Sequence, residues 1–518
     1  MIARPHVFAV AILLLAAALR FIHLADFPSG INQDEADRAY EAYSLLQTGH
    51  DQHGHRWPLT LEAFSRTNDN ASAIQAYAAL PFVALLGPGV LASRLPAAIA
   101  GVALVWAVIA LGHRLTGQWS VALLAGFALA VSPWHLTLSR LGHEAVWLPT
   151  LFVLGLLAYL SALDRRPWLL PLAVLAWGIG FYGYGPGKLF FPLAGLITVG
   201  LTFRRLRWRH PATAMAGVLV IAFGILLWKF SWAQLGAGHF NEVSIFHEGL
   251  LPGLRTLALN FLVYINPVTW VRGMLSVGPG DSLLVLFGIP AFFLLLPVSQ
   301  QQYRLRWLLG LTLLLGILPA ALTDANPSPF RAVGILALLQ LTGAWGVMLF
   351  AKRFLWKLPR AAWQPLLLSL ATLASVVGLV VYWQPPPAVR LTEDTRLAYT
   401  PAFNRVFTTL TGPLGQAREV RIADDYLNQP QITIMLLTPW DPATLARDHQ
   451  FVVTDSGWYR TVRLGRYVFC ERTECPTDAP GVAFVEISDQ THMGTRLVDR
   501  LPIRGFAEPF RWTISIND

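Results

Sequence analysis

The chain has 518 residues, of which 54% are hydrophobic and only 13% are charged. Soluble globular proteins carry about 25% charged residues, so this composition excludes a single soluble domain and a disordered or fibrous chain. The net charge of +9 hides two regions: residues 1–383 hold 25 basic and 14 acidic residues, and residues 384–518 hold 14 and 16. The sequence predicts a polytopic membrane protein with a water-soluble C-terminal region, and membrane topology explains the basic excess without nucleic-acid binding.

Apolar runs long enough to cross a bilayer recur along residues 1–383. A spanning helix needs roughly 20 apolar residues, and about eleven runs qualify. These runs lie near 6–24, 91–112, 119–136, 145–163, 168–182, 189–202, 212–232, 282–298, 307–322, 332–351 and 363–383. A further run at 71–87 is short and follows a polar loop, so we expect a helix on the membrane surface there.

The basic residues predict an orientation for these spans. With the N-terminus inside, the inner connections contain 14 basic residues and one acid, Asp164. Cytoplasmic loops carry such an excess of lysine and arginine. The sequence therefore predicts a cytoplasmic N-terminus, an uncleaved first span and an extracytoplasmic region 384–518.

Region 384–518 reads as a small domain of its own. It begins with three prolines at 385–387, and the stretches EVRIA, QITIMLL, QFVVT, RYVFC and VAFVEI alternate with Asp, Pro and Gly turns. These stretches predict strands, with helices near 400–412 and 441–448, in an α/β or β-rich domain. The two cysteines, Cys470 and Cys475, are compatible with a disulfide or with two thiols.

The acids of the membrane region concentrate in the loop that follows the first span. Eight of the 14 lie between residues 25 and 70. A helix capped by Asn32 or Asp34 would place Asp34, Asp37 and Glu41 on one face and Glu35 elsewhere. We interpret Asp37 and Glu41 as solvated, and Asp34 at the membrane surface as well placed to deprotonate an acceptor. The alternative is a capped, solvated loop helix without catalytic function.

Five cations lie at predicted outer helix ends, where charges are costly unless they are paired or face a cavity. Together they indicate a polar cavity for a phosphate or pyrophosphate group, although each alone fits an interfacial anchor. The tyrosines of the stretch FYGYGPGKLFFP suit stacking on a sugar ring. The candidate donor-binding residues are Arg94, Arg140, Tyr182, Tyr184, Lys188, Arg272 and Arg331. His50, Asp51, His53 and His55 lack zinc-type spacing, and we predict no metal or other cofactor.

Several stretches, taken in order, resemble a known family. They are QDEADRAYEAYSLLQTGHDQHGHRWP, SRLPAAIAGV, ALAVSPWHLTLSRLGHEA, FYGYGPGKLFFP, INPVTWVRGM and ALTDANPSPFRAVGILALLQL. The region 30–345 resembles GT-C glycosyltransferases, and more closely the bacterial family-39 enzymes related to protein O-mannosyltransferases and the aminoarabinose transferase of lipid A. This resemblance implies a bacterial plasma-membrane enzyme with a catalytic domain at 1–383 and the separate domain 384–518.

The resemblance also implies a reaction and the residues for it. The reaction is inverting transfer of a sugar from a polyprenyl-phosphate donor to an extracytoplasmic acceptor, which is a protein, a lipid or a glycan. The family's catalytic acid corresponds to the pair Asp34 and Glu35, with Asp34 as base and Glu35 as a supporting acid. Relatives carry KPP or HPP where RTNDNASAIQAY stands here, so a lysine or histidine contact to the substrate is either missing from this chain or moved to Arg66.

Two other functions fit the same composition. A flippase or transporter for a lipid-linked glycan would also have a cationic cavity, but its halves would be related by inverted symmetry, which this sequence does not show. A non-catalytic scaffold that presents residues 384–518 to partners would tolerate replacement of Asp34 and Glu35.

Overall fold

A computed structural model describes the chain in two stretches. The first runs from 5 to 355 with gaps at 29, 66–68, 165, 229–236, 267–268, 270–282, 298 and 325–327. The second comprises 373, 377–378, 380, 406 and 415–516, with gaps at 416, 425–426, 428, 456, 472, 476–480, 488–495 and 503–510. Arg272 lies outside the described residues, as do most of the predicted span 363–383 and most of the predicted helix 400–412.

Helices dominate the first stretch. They are α1 (Pro5–Phe21), α2 (Gln33–Thr48), α3 (Ile74–Leu86), α4 (Val90–Thr116), α5 (Trp119–Val131), α6 (Pro133–Arg140), α7 (Trp147–Asp164), α8 (Leu169–Gly183), α9 (Gly187–Thr202), α10 (Pro211–Trp228), α11 (Ala237–Val243), α12 (Leu250–Ile265), α13 (Ile289–Leu295), α14 (Gln300–Ala321) and α15 (Leu336–Phe354). The hairpin strands β1 (Thr60–Ser65) and β2 (Asp69–Ser72) separate α2 from α3.

The helices fall where the apolar runs predict them, but the predicted number of spans is not confirmed. Within the described residues, four helical segments are long and apolar enough to cross a membrane, and α5 with α6 makes a fifth if this pair, bent by 59°, counts as one span. Those four are Val90–Thr116, Glu144–Asp164, Tyr303–Ala321 and Val333–Phe354. Several other predicted spans appear as shorter apolar helices, among them α1, α8 and α10, whereas the apolar helix α12 was not among the predicted spans.

The chain forms two compact units. Unit 1 contains residues 1–22, 97–140 and 144–383, and unit 2 contains residues 23–96, 141–143 and 384–518. The core of unit 1 is an apolar cluster contributed by α4, α5, α7, α9 and α15.

Unit 2 contains a seven-stranded mixed sheet. The strands are β3 (Glu419–Ala423), β4 (His449–Val453), β5 (Tyr459–Leu464), β6 (Tyr467–Cys470), β7 (Val482–Ile487), β8 (Arg496–Pro502) and β9 (Arg511–Ile516). Their order is β4-β5-β6-β3-β7-β9-β8. The central strand β3 is parallel to β6 and β7, and the other neighbours are antiparallel. Two helices, α16 (Pro430–Leu437) and α17 (Leu445–Asp448), complete this α/β region.

One predicted strand of this region is wrong. QITIMLL forms helix α16, which begins at Pro430 and is buried from Pro430 to Leu436. An apolar run buried on every side has no alternation, so its period cannot distinguish a strand from a helix. Proline at the first position favours a helix start. The strands predicted at EVRIA, QFVVT, RYVFC and VAFVEI are present, and Cys470 and Cys475 form a disulfide.

The acidic loop and the C-terminal region share one core in unit 2. Ala36, Ala39 and Tyr40 of α2 pack in the same apolar cluster as α16 and the central strands. The Tyr40 hydroxyl donates to the carbonyl of Trp440 at 3.1 Å. This packing holds α2 in place, although its sequence alone reads as a solvated helix.

Candidate active site

Helix α2 begins with a complete capping box. The side chain of Asn32 accepts a hydrogen bond from the Asp34 amide at 2.8 Å, and Glu35 accepts one from the Asn32 amide at 3.0 Å. Such a box satisfies backbone donors that a helix start leaves without partners. It therefore fixes the direction in which Asp34 and Glu35 leave the helix.

The carboxylate of Glu35 is buried and fully engaged. Its Oε1 accepts hydrogen bonds from Arg94 Nε at 2.9 Å and from the Gly142 amide at 2.7 Å. Its Oε2 accepts from Arg94 Nη2 at 3.3 Å and from the Asn32 amide. With its side chain 1% exposed, Glu35 is not accessible to an acceptor. Its contacts suit the supporting role predicted for it.

The contacts of Arg94 disagree with its predicted role in phosphate binding. Besides Glu35, its guanidinium donates to the carbonyls of Leu24, Pro28 and Gly30 at 2.7–3.1 Å. These bonds use all five N–H groups that an arginine possesses. The side chain is fully buried. Arg94 therefore cross-links the loop before α2 to Glu35 and has no donor left for a phosphate.

Gly142 lies where only a residue without a side chain fits. A Cβ at this position would lie 2.2 Å from the Ser93 hydroxyl and 2.8 Å from the Ser93 carbonyl oxygen. Ser93 Oγ donates to the Glu35 carbonyl at 3.0 Å, and Gln75 donates to the Ser93 carbonyl at 2.9 Å. This close approach lets the Gly142 amide reach Glu35.

Asp34 differs from the other acids of α2 in keeping contact with solvent. Its side chain is 30% exposed, and its Oδ2 lies 3.9 Å from His143 Nε2. It occupies the first turn of the helix, where the positive end of the helix dipole favours a carboxylate. An ionised, accessible carboxylate beside an imidazole is an arrangement that accepts a proton.

The interpretation of Asp37 and Glu41 as solvated acids is wrong. Both are fully buried. Asp37 pairs with Arg38 and accepts a hydrogen bond from Gln52 Nε2 at 2.7 Å, while Glu41 Oε2 accepts from the Gln52 amide at 3.1 Å. Within the described residues, Oε1 of Glu41 has no hydrogen-bond partner. Both acids are therefore inaccessible to an acceptor.

Burial and the charges of Asp37 and Asp51 raise the pKa of Glu41 well above 4.5, and burial raises the pKa of Asp37. Between the unfolded-state and folded-state pKa values, Glu41 is protonated in the folded chain and ionised in the unfolded chain. The free energy of unfolding therefore falls as the pH rises above about 4.5, and it levels off above the folded-state pKa. We expect Glu41→Gln, which mimics the protonated acid, to raise Tm at pH 7–8 and to flatten this decline. Thermal unfolding of the wild type and the variant from pH 4.5 to 8.5 measures the rise in Tm and the slope of the decline. If the two proteins had the same pH profile, Glu41 would not retain a proton in the folded state.

In unit 1, Arg140 contacts the end of α1. Its guanidinium donates to the carbonyls of Leu19, Arg20 and Ile22, two of these bonds measuring 3.2 and 3.0 Å. A cation that satisfies the last carbonyls of a helix stabilises it. Because the side chain is fully buried, this contact assigns Arg140 to helix capping, contrary to its predicted contact with a donor.

Lys188 and Arg331 lie on neighbouring elements of unit 1. Lys188 opens α9 and feels the negative charge of Glu144. Arg331 precedes the short helix Val333–Ile335, and a Cβ at Gly334 would lie 3.2 Å from the Phe190 ring of α9. Within the described part of the chain, the buried Nη1 of Arg331 has no hydrogen-bond partner. Both side chains are only partly buried and remain candidates for an anion.

The tyrosines of FYGYGPGKLFFP lie at the end of α8, where Tyr182 and Tyr184 are partly exposed. The nearby glycine Gly187 does not open a path for a ligand. A Cβ there would lie 2.6 Å from the Gly180 carbonyl, so this residue permits close packing between α8 and α9.

The chain is similar to known proteins in part of its sequence and in its fold. A family model described as dolichyl-phosphate-mannose-protein mannosyltransferase matches residues 73–228. ArnT from Cupriavidus metallidurans superposes with a TM-score of 0.57 at 12% identity, over 99% of this chain and 98% of that chain. Its complex with undecaprenyl phosphate gives 0.53 at 12% identity over 98% of each chain. The oligosaccharyltransferase of Archaeoglobus fulgidus gives 0.50 at 14% identity, over 84% of this chain and 63% of that one.

The chain has the fold of ArnT and of the archaeal oligosaccharyltransferase. No curated protein matches the sequence. This similarity confirms the GT-C-like fold expected from the motifs of region 30–345, and the chain is an integral membrane protein.

One residue of the candidate site was not recognised from the sequence. His143 belongs to the stretch SRLGHEA, which carries part of the family resemblance, but nothing in its spacing relates it to Asp34. The two side chains are 109 positions apart and meet only in unit 2. The usable signal was a histidine directly after Gly142 in a polar break between apolar runs.

Proposed function

We propose that this chain transfers a sugar from a polyprenyl-phosphate-linked donor to a protein, lipid or glycan acceptor, with Asp34 as the general base. One observation carries this proposal: of the four acids on α2, Asp34 alone keeps an accessible side chain, while Glu35, Asp37 and Glu41 are buried. A family model named for transfer from dolichyl phosphate mannose, and the fold of an ArnT crystallised with undecaprenyl phosphate, support the donor class.

The proposed reaction is a single displacement. Asp34 removes the proton from the acceptor hydroxyl as its oxygen attacks the anomeric carbon of the sugar. The bond from that carbon to the phosphate oxygen breaks, and polyprenyl phosphate leaves with the bonding electrons. Attack opposite the leaving group inverts the anomeric centre. His143 supports the base by holding its carboxylate in place.

The leaving phosphate gains negative charge, and preorganised cations lower the barrier for such a step. Lys188 and Arg331 are the proposed cations. Their side chains remain partly exposed, unlike those of Arg94 and Arg140, whose guanidinium groups hold backbone carbonyls. The buried Nη1 of Arg331, without a partner in the described residues, would gain a charge-assisted hydrogen bond from a phosphate.

Lys188→Ala and Arg331→Ala should each weaken binding of polyprenyl phosphate, because the phosphate loses a charged hydrogen bond worth about 1.5–3 kcal/mol. The stabilisation that added polyprenyl phosphate gives to the wild type in detergent should shrink in both variants. The exposed Arg204→Ala is the matched control and should behave like the wild type. Equal stabilisation of all four proteins would make Lys188 and Arg331 interfacial anchors only.

The proposed activity is tested by transfer of a radiolabelled sugar from total polyprenyl-phosphate donors in membranes of a deletion strain, with and without the restored chain. We place the reaction on the outer face of a bacterial plasma membrane, with the N-terminus cytoplasmic. Chain-dependent labelling of an acceptor supports the transferase. A complete lipid-linked glycan that crosses the membrane without transfer would identify a flippase. A chain that neither transfers a sugar nor moves a glycan would favour the non-catalytic scaffold.

A further inference from the structure

Unit 2 contains a cleft at the C-terminal end of α2, remote from Asp34. One wall is the loop from Thr48 to Gly54, and the other is formed by α17 and β4. Its volume is about 560 Å³, within the range of roughly 300–1,000 Å³ typical of small-molecule sites. Fourteen residues of α2 separate Thr48 from Asp34, a distance of about 21 Å along the helix.

The lining of this cleft carries little net charge. None of its twelve described lining residues is a lysine or an arginine, and the one acid, Asp51, is 4% exposed. The Asp51 carboxylate accepts hydrogen bonds from the amides of His53 and His55 at 3.0 and 2.7 Å and contacts the His55 ring. Burial and the nearby His53 lower the pKa of His449 to about 4, so its ring is neutral at physiological pH. The described lining therefore offers no lysine or arginine to a phosphate.

The rings of His53, His449 and Phe451 line the cleft. The buried ring of Tyr459 contacts two of them. The rings of Phe451 and Tyr459 lie 4.5 Å apart, and the rings of His53 and His449 lie 6.1 Å from Tyr459 and 5.4 Å from Phe451, respectively. The Phe451 residue is 40% exposed. Within the described residues, the buried Nε2 of His53 has no hydrogen-bond partner. Apolar ring faces beside an unused polar nitrogen match a ligand with both CH faces and hydroxyl groups.

We propose that this cleft binds a neutral saccharide segment of the acceptor. The exposed ring of Phe451 takes the CH face of a sugar unit, and His53 Nε2 exchanges a hydrogen bond with one of its hydroxyls. A phosphate is disfavoured because no described lining residue is a lysine or an arginine. The proposal rests on the proposed transferase and narrows its acceptor to one that carries glycan. A contact that is equally strong in the ground state and in the transition state lowers KM without raising kcat.

The test uses the full chain in detergent and saturation-transfer NMR. The probes are neutral glucose, mannose and galactose oligosaccharides of three to six units, a Gly-Ser-Thr hexapeptide and inorganic phosphate. We expect saturation of an oligosaccharide by the wild type, and at least about fivefold weaker binding in Phe451→Ala and in His53→Phe, which keeps the ring but removes Nε2. Val452→Ala is the matched control, because Val452 is 49% exposed on the same strand but does not line the cleft.

Each other outcome overturns the inference. The inference is wrong if the wild type gives no oligosaccharide signal, or if the wild type and Phe451→Ala give equal signals. It is also wrong if only the hexapeptide or phosphate gives a signal. Asp34→Asn separates this failure from failure of the transferase, since it should bind oligosaccharide normally yet lose transfer. Saccharide binding by a wild type that transfers no sugar would refute the transferase and leave the cleft a saccharide site.

Discussion

Asp34→Asn is expected to reduce sugar transfer at least about a hundredfold, because a general base contributes roughly 10²–10⁴-fold to rate. Asparagine has nearly the shape of aspartate but cannot accept the proton. The Asp34 side chain is not part of the capping box, which uses the Asp34 amide, and it is partly exposed. The variant should therefore fold and express like the wild type. Transfer of radiolabelled sugar in membranes of the deletion strain measures the loss.

Asp26→Asn is the matched control for this experiment. Asp26 lies in the same loop and unit, and its side chain is 76% exposed, so its replacement removes the same charge from a solvated position. It should keep full transfer. An Asp34→Asn variant with wild-type activity would exclude Asp34 as base. Because Asp37 and Glu41 are inaccessible, α2 would then hold no alternative, and the flippase and the scaffold would become the better interpretations.

The helices of the membrane region were predictable because their signal is local. The run 91–112 is apolar apart from Ser93 and Arg94, and α4 forms over it. The number of spans is a different matter, since α8 and α12 have only 15 and 16 residues. Composition predicts where an apolar helix lies, but whether a short one crosses the bilayer depends on its packing.

The burial of α2 was not predictable, because it depends on residues that are distant in the sequence. Its charged residues at helical spacing are typical of a solvated face, yet Asp37, Arg38 and Glu41 are buried. Residues that pack against α2, including Trp440 and α16, lie about 400 positions later in the sequence. A single sequence shows which residues share a helix face but not what packs on it. The contact between His143 and Asp34 was not predictable for the same reason.

Among the site residues, the local part of the prediction agrees with the geometry and the long-range part does not. The helix start at Asn32 and the accessible position of Asp34 follow from capping chemistry. Arg94 shows no local sign of its partner, because Glu35 lies 59 positions away. A cation at a predicted outer helix end looks the same in sequence whether it faces a phosphate or a buried carboxylate.

Arg94→Met is expected to destabilise the chain by about 3–5 kcal/mol, because it leaves the carboxylate of Glu35 buried without its cation. Methionine fills much of the volume but donates none of the five hydrogen bonds to Glu35, Leu24, Pro28 and Gly30. We expect Tm in detergent to fall by more than about 5 °C. The exposed Arg56→Met, in the same unit, should leave Tm unchanged.

A double-mutant cycle with Glu35→Gln separates structure from ligand binding. Glutamine still accepts hydrogen bonds from the Gly142 and Asn32 amides through its oxygen, but it carries no charge that needs Arg94. Arg94→Met with Glu35→Gln should therefore cost less than the sum of the single changes, since contacting residues couple by about 0.5–3 kcal/mol. If instead Arg94→Met kept the wild-type Tm but lost stabilisation by polyprenyl phosphate, Arg94 would be a phosphate ligand, as its position at a predicted outer helix end suggests.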